Sequence, residues 1–551
     1  MSLKPQPISP VPEETVRIAR AAFPKGNLYL TLRDEIGTLY SDSDFTALYP
    51  THGQPTVRPW RLALICVLQF IEDLPDRQTA EAVRSRIDWK YLLGLELTDS
   101  GFDFSVLCEF RARLMAGSAE QQLLDTLLKQ FKERGWLKER GKQRTDSTHV
   151  LAAIRNLNRL EGVGETLRAA LNDLATVAPD WLRSWVPEEW FERYGRAVEE
   201  YRLPKGIAAR KEYAEMIGTD GMQLLIAVWA EDVPDWLAHV PAVEILRQTW
   251  VHQYYVENDQ VRLRAASDLA PSGSRFDSPY DIDARFGNKR SVTWTGYKVH
   301  LTETCDENQV HLITHTITTQ AQVSDVTQTA LIHEALAAKD LLPSQHIVDA
   351  GYVDSNLIVT SRKQYGIDLV GPVRPNVSWQ AKTPGGYDIS QFTVNWNTKR
   401  VTCPQGKKST KKWVPTQDKW GNPVINVRFP RKTCRLCNAR ALCTRSKTEP
   451  RELTLRPKAE YLALQTVRKQ QLSTDWKKLY DARAGVEGTL SQGITTLGLR
   501  QARYIGLVKV QLQHLLTAVA LNVVRMVAWL HGRTHAKTRI SRFAALAPSP
   551  V

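Results

Sequence analysis

The sequence lacks any apolar run long enough to cross a membrane. Its two most apolar stretches, "LALICVL" (62–68) and "LLTAVALNVV" (515–524), fall far short of the ~20 residues a spanning helix needs, and Asn522 interrupts the second. Both read as core helices, so no membrane partner is expected. The opening "MSLKPQPISPVPEE" has no apolar h-region of the kind secretory signals carry. Cysteine is scarce, at seven in 551 residues. Without a secretory context these are expected to be reduced thiols or metal ligands rather than disulfides. Acidic residues are in deficit: 59 Asp plus Glu stand against 73 Lys plus Arg, a formal net charge of +14. That balance points to a polyanionic partner, above all nucleic acid, with a merely basic cytosolic protein as the plainer alternative.

A composition of 42% hydrophobic and 24% charged residues is that of an ordinary soluble globular protein. The length exceeds one compact core, and roughly two to four units are expected. Residues 1–140 read as helical, with apolar residues at helical spacing in "RPWRLALICVLQFIED" and "QQLLDTLLKQFKERGWL". Arginines on such helices suit DNA binding or dimerisation. Residues 141–155, opening "GKQRTDSTHVLAAI", turn to strand character, with Gly141 breaking the preceding helix. Residues 156–285 are helical again and carry Trp181, Trp185, Trp190, Trp229, Trp236 and Trp250. Most of these belong in a core, and one or two are candidates for stacking on bases.

Residues 286–375 alternate strand, strand, helix, strand, helix, strand, the pattern of a mixed α/β sheet. Its first two strands, "VTWTGYKVHLTET" and "VHLITHTITTQ", are joined by "CDENQ" as a hairpin. Residues 376–455 are polar, basic and turn-rich. Residues 456–532 are helical, and residues 533–551 form a basic tail.

Three acids stand out. Asp349 ends the buried strand "HIVDAG", where ligand sites gather in open α/β sheets. Asp354 reads instead as the N-cap of the helix that follows and closes at Gly366. Asp146, in "RTDSTHV", lies on a predicted strand, sharing a face with Thr148 and opposing His149. An acid on a central strand is costly unless paired, hydrogen-bonded or metal-bound. In "LYDARAGVEGTLSQG", Tyr480, Arg483 and Glu487 follow at steps of three and four, which puts them on one helix face; Asp481 is turned away. Asp146, Asp349 and Glu487 together would offer the hard oxygen ligands that suit Mg²⁺ or Mn²⁺. Two such ions can clamp the attacking and leaving oxygens of a phosphodiester displacement.

With these motifs in view, nearly the whole chain resembles a DDE transposase of a bacterial insertion sequence, in the branch whose catalytic Glu lies in a Tyr-x2-Arg-x3-Glu helix. The likeness is carried by "FRARL", "TDSTHV", "DIDARFGNKRSVTWTGYKVHL", "VDAGY", the Tyr480–Arg483–Glu487 segment and "GLRQARYIGL". It implies an α/β, RNase H-like catalytic core interrupted by a helical insert and a small cysteine-rich insert, behind a helical N-terminal domain. It implies Asp146, Asp349 and Glu487 as the metal-binding acids, with Tyr480 and Arg483 holding the DNA end. It also implies double-stranded partners, namely terminal inverted repeats and target DNA, a homodimer on paired ends, and a cytoplasmic, nucleoid-associated location. A metal-dependent nuclease on the same fold and a non-catalytic DNA-binding relative are the alternatives. One departure is the family's Lys seven residues after the Glu, which is Ile494 here. Arg500 or Arg503 is the expected substitute for its phosphate contact.

Cys403, Cys434, Cys437 and Cys443 cluster in the basic segment, in "VTCPQGK" and "CRLCNARALC". Four thiolates including a C-x2-C pair resemble a structural Zn²⁺ site, with reduced thiols in a loop-rich insert as the alternative.

Overall fold

The computed structural model describes residues 1–289, 291–533, 542, 543 and 546. Most of the basic tail therefore lies outside the described residues. The chain forms two compact units: the first comprises Met1–Lys138, Ser147–Val323 and Glu487–Val551, the second Glu139–Asp146 and Ser324–Val486. The strand β1 (Arg140–Leu151) belongs to both.

In the first unit the N-terminal residues are helical, as their spacing predicts. The helix Pro59–Ile71 is almost wholly buried, and it packs with Gln122–Glu133 against a long C-terminal helix, Leu507–Leu530. The helix before β1 stops at Glu133, where Gly135 takes a left-handed φ of 73°; Gly141, expected to be the breaker, lies within β1. Contrary to the expectation from its short apolar run, the helix Leu507–Leu530 has the length and apolar composition to cross a membrane. Most of it is buried inside the protein, however, and Asn522 exchanges two hydrogen bonds with the backbone of Ile313, at 2.7 and 2.8 Å. A polar side chain satisfied by a strand marks a core helix.

Residues 156–285 form their own hydrophobic cluster around the helices Arg159–Val177, Ile207–Val228 and Pro241–Gln253. Trp190 and Trp250 are buried in it and Trp181 and Trp185 pack against it, whereas Trp229 and Trp236 are half exposed. The Trp250 indole lies so close to the second helix that a Cβ on Gly221 would sit 2.1 Å from its ring, and its Nε1 donates to the Gly218 carbonyl at 2.8 Å. Only glycine allows that approach. Next come the antiparallel strands β2 (Arg285–Lys289), β3 (Val292–Thr304) and β4 (Ile313–Gln320), with β3 between the other two and also beside β1. The hairpin anticipated around "CDENQ" is β3–β4.

In the second unit β1 pairs in parallel with β5 (Pro343–Val348), and β5 pairs in parallel with the short β6 (Asp368–Val370). The helices α1 (Gln328–Ala338) and α2 (Ser355–Tyr365) cover a core of Ile332, Leu336, Val348, Tyr352 and Leu369. Asp354 caps α2, accepting from the amides of Asn356 and Leu357, and Gly366 closes it with φ 64°. Residues 376–455 build small sheets, Thr393–Asn395 with Arg400–Thr402, and Trp413–Gln417 with Pro423–Arg428 and Glu452–Leu455, around a separate cluster that includes Val401, Val427 and Phe429.

Candidate active site

Within the second unit, the register of β1 and β5 decides where the two strand-borne acids stand. Thr145 is the partner of Val348, the last residue of β5, so Asp146 on β1 and Asp349 just beyond β5 each follow a paired residue. Adjacent strands lie about 4.8 Å apart. The apolar side chains that bury this end of β5, Ile347 and Val348, are inaccessible to solvent.

Asp146 is 9% exposed. Its Oδ2 accepts from Arg483 Nη1 at 2.7 Å, in an ion pair whose two side chains are largely shielded. Charge-assisted bonds of this kind are what a buried carboxylate requires. Asp349 Oδ1 accepts from the Gly351 amide at 2.7 Å. A Cβ placed on Gly351 would lie 2.9 Å from that oxygen and 3.4 Å from Oδ2 of Asp325, which heads the short turn Asp325–Thr327. Asp325 is thus a carboxylate neighbour of Asp349 that sequence reasoning did not single out. Its place at the head of "DVTQTALIHEALAAKD" read simply as the start of a helix.

Behind β1, Thr145 Oγ1 bonds His346 Nε2 at 2.6 Å, and His346 Nδ1 bonds His333 Nε2 at 2.8 Å. Burial holds His333 down at about 4 and His346 well below its ordinary value. The pair is a neutral brace at neutral pH.

Tyr480 lies on α3 (Thr474–Asp481), stacked on Trp476 with ring centroids 4.9 Å apart and planes at 12°. Burial raises its phenol above the ordinary value; Arg483 pulls it down, while Asp349 and Asp146 push it up. It stays protonated, a donor beside both acids. The single helix expected from Tyr480 to Glu487 is interrupted. After α3 comes a tight turn, Ala482–Ala484, and then α4 (Gly485–Leu497). Arg144 on β1 meets this turn: its Nη1 donates to the Ala482 carbonyl at 2.5 Å, and its guanidinium fills the space where a Cβ on Gly485 would stand, 2.2 Å away. Arg483 therefore sits in the turn and Glu487 in the first turn of the next helix.

Glu487 opens the last segment of the first unit and is exposed. The structure thus gathers Asp146, Asp349, Tyr480 and Arg483 within the second unit, and puts Glu487 on a segment of the first. In that first unit α4 is tied down two residues beyond Glu487. Thr489 donates to the fully buried Glu303 of β3 at 2.6 Å, and Arg525 bonds both, at 2.9 Å to Glu303 and 2.7 Å to Thr489. The helix runs to Leu497, and Gly498 ends it with φ 60°.

The chain then returns to β1. Leu151 donates to the Arg500 carbonyl at 2.8 Å and accepts from Ala502 at 2.9 Å, while Arg500 Nε donates to Thr148 Oγ1 at 2.8 Å. Arg503 turns elsewhere, pairing with Asp73, donating to the Leu74 carbonyl at 3.2 Å and covering the Phe70 ring. Among the described residues no group of three or more His, Cys, Asp or Glu is already spaced for a metal ion.

Two family models match the chain. One, described as Transposase DDE domain, covers residues 402–527, which include Tyr480, Arg483 and Glu487. The other, described as Transposase domain (DUF772), covers residues 17–113 among the N-terminal helices. No curated protein matches, and no solved structure does either.

Proposed function

We propose that this chain, a DDE transposase of an insertion sequence, cuts the ends of its element and joins the freed 3′-hydroxyls to target DNA. The observation that supports the reading is the register of β1 and β5, in which Thr145 and Val348, the residues just before Asp146 and Asp349, are partners, with Arg483 bonded to Asp146. The resemblance adds Glu487 as the third acid. Carboxylate oxygens at the end of parallel strands are a donor set that fits a hard divalent ion, Mg²⁺ or Mn²⁺. Such an ion, when bound, activates water and offsets charge on the scissile phosphate.

The chain's own residues hold and orient the DNA. Arg483 neutralises Asp146 in the free protein, and its planar fork suits a phosphate once Asp146 has another cation. Tyr480, kept protonated, donates to a phosphate oxygen; Trp476 behind it fixes the ring. Arg500 is the proposed substitute for the lysine missing at Ile494, since Arg503 is engaged with Asp73. In-line displacement tolerates little misplacement, so these contacts govern rate. An RNase H-like core and a dimer on paired ends follow from the resemblance.

The test is to incubate the purified chain with a library of DNA ends, Mg²⁺ and a target plasmid. Joined products are expected. Cut ends that never join would make it a metal-dependent nuclease, and binding without cutting a non-catalytic relative.

A further inference from the structure

The cysteine-rich module of the second unit poses a problem that the DNA chemistry leaves unsolved. Between Arg431 and Cys443 its regular structure consists of two short helical turns, Arg431–Arg435 and Arg440–Cys443. Helices of that length do not hold themselves. Local bonds give partial support. Cys437 and Cys434 share a turn through an amide–carbonyl bond, and Arg440 ties the loop together by donating to the carbonyls of Cys434, Ser446 and Glu449. Thirty residues earlier in the chain, Cys403 heads the tight turn "CPQGK", its carbonyl accepting from Gly406 at 2.8 Å and its amide donating to Lys407 at 2.9 Å.

These separate pieces meet at one place. Cys403, Cys434, Cys437 and Cys443 all line a single cavity of ≈ 30 Å³, on the scale of one ion or water. Arg451 lines it too, and its Nε is buried without a hydrogen-bond partner. A buried guanidinium nitrogen left unbonded is costly, and an acceptor in the cavity that Arg451 lines would relieve it. A neutral thiol is a poor acceptor, whereas a metal-bound thiolate is a good one.

We propose that the four cysteines hold one structural Zn²⁺ as a tetrathiolate, with Arg451 donating to one of its sulfurs. Zinc prefers this closed, all-sulfur set, with bonds of about 2.3 Å, and the ion would draw the thiols in from the cavity wall. The arginines around it offset the net negative charge of four thiolates on a divalent ion. In a module of small sheets, the ion would fasten the short helical turns to the Cys403 hairpin. The claim is independent of the transposition reading, because its readout is metal content rather than DNA cleavage.

The experiment is elemental analysis of the full chain purified without chelator, followed by exchange of its metal for Co²⁺. About one zinc per chain is expected, and the cobalt form should show the sulfur-to-cobalt charge-transfer bands and visible bands of a tetrahedral thiolate site. Cys437→Ser should lose most of the zinc; where that variant fails to fold, the cobalt spectrum of the unaltered chain still decides. Arg451→Lys should keep the metal but release it faster to a chelator. A zinc-free chain with four freely reactive thiols, a Cys434–Cys437 disulfide, or cobalt bound without sulfur bands would each overturn the proposal.

Discussion

Arg525→Met tests how α4 is anchored. The substitution keeps a side chain of similar reach and removes bonds to Glu303 (2.9 Å), the His311 carbonyl (3.0 Å), Thr489 (2.7 Å) and Gln492 (3.0 Å). Glu303 is fully buried and the Arg525 side chain only 15% exposed, so water screens little of the pair. Exposed ion pairs contribute about 0.2–1 kcal/mol, but removing one partner of a buried pair costs about 3–5 kcal/mol. Adding Glu303→Gln to the variant should restore much of the loss, because the buried charge is gone as well. A chain of two units need not unfold in one step, so the assay is local: hydrogen exchange of the amides in α4 and β3. A loss of about 3 kcal/mol predicts exchange at least ~100-fold faster there. Because Thr489 lies two residues beyond Glu487, DNA cleavage should fall in parallel. Exchange within about threefold of wild type would refute the reasoning.

Two further outcomes follow from the buried groups and from the arginines near β1. His333 titrates near 4 when folded and near 6.5 when unfolded, so the unfolded chain binds more protons between these values. The stability this contributes is whole above about pH 6.5 and drains as the pH falls towards about 4. Denaturation midpoints measured from pH 6.5 to 5 should decline, and His333→Gln should flatten that slope; an unchanged slope counts against the brace. Arg500→Ala should weaken binding to a terminal duplex and reduce its salt dependence, while Arg503→Ala should cost stability and leave the salt slope alone. Affinities across a salt series separate the two, and equal slopes for Arg500→Ala and wild type would remove Arg500 from the DNA contact.

Much of this was legible in local patterns. The strand character of "QRTDSTHV", the apolar strand before Asp349, the cap at Asp354 and the stop at Gly366 all depend on near neighbours in the chain, and all appear in the structure. What stayed hidden depends on contacts remote in sequence. Spacing alone drew Tyr480, Arg483 and Glu487 on one helix, because the count assumes an unbroken ladder. Arg144, 338 residues away, donates to the Ala482 carbonyl in the turn that interrupts it. Glu303 and Arg525 are 222 residues apart, and neither stands in a recognisable motif. The acid that pairs with Arg503, Asp73, lies 430 residues away in the chain. Asp325 gained significance only through the glycine that lets two carboxylates approach.

The most direct measurement is DNA end cleavage by Asp349→Ala and Asp146→Asn in Mg²⁺, with end binding assayed in the same samples. The account predicts that each variant binds the end with near wild-type affinity and cuts it at a rate reduced by several orders of magnitude. Wild-type cutting by Asp349→Ala, with binding intact, would contradict the pairing of the two strand-borne acids as the centre of the chemistry.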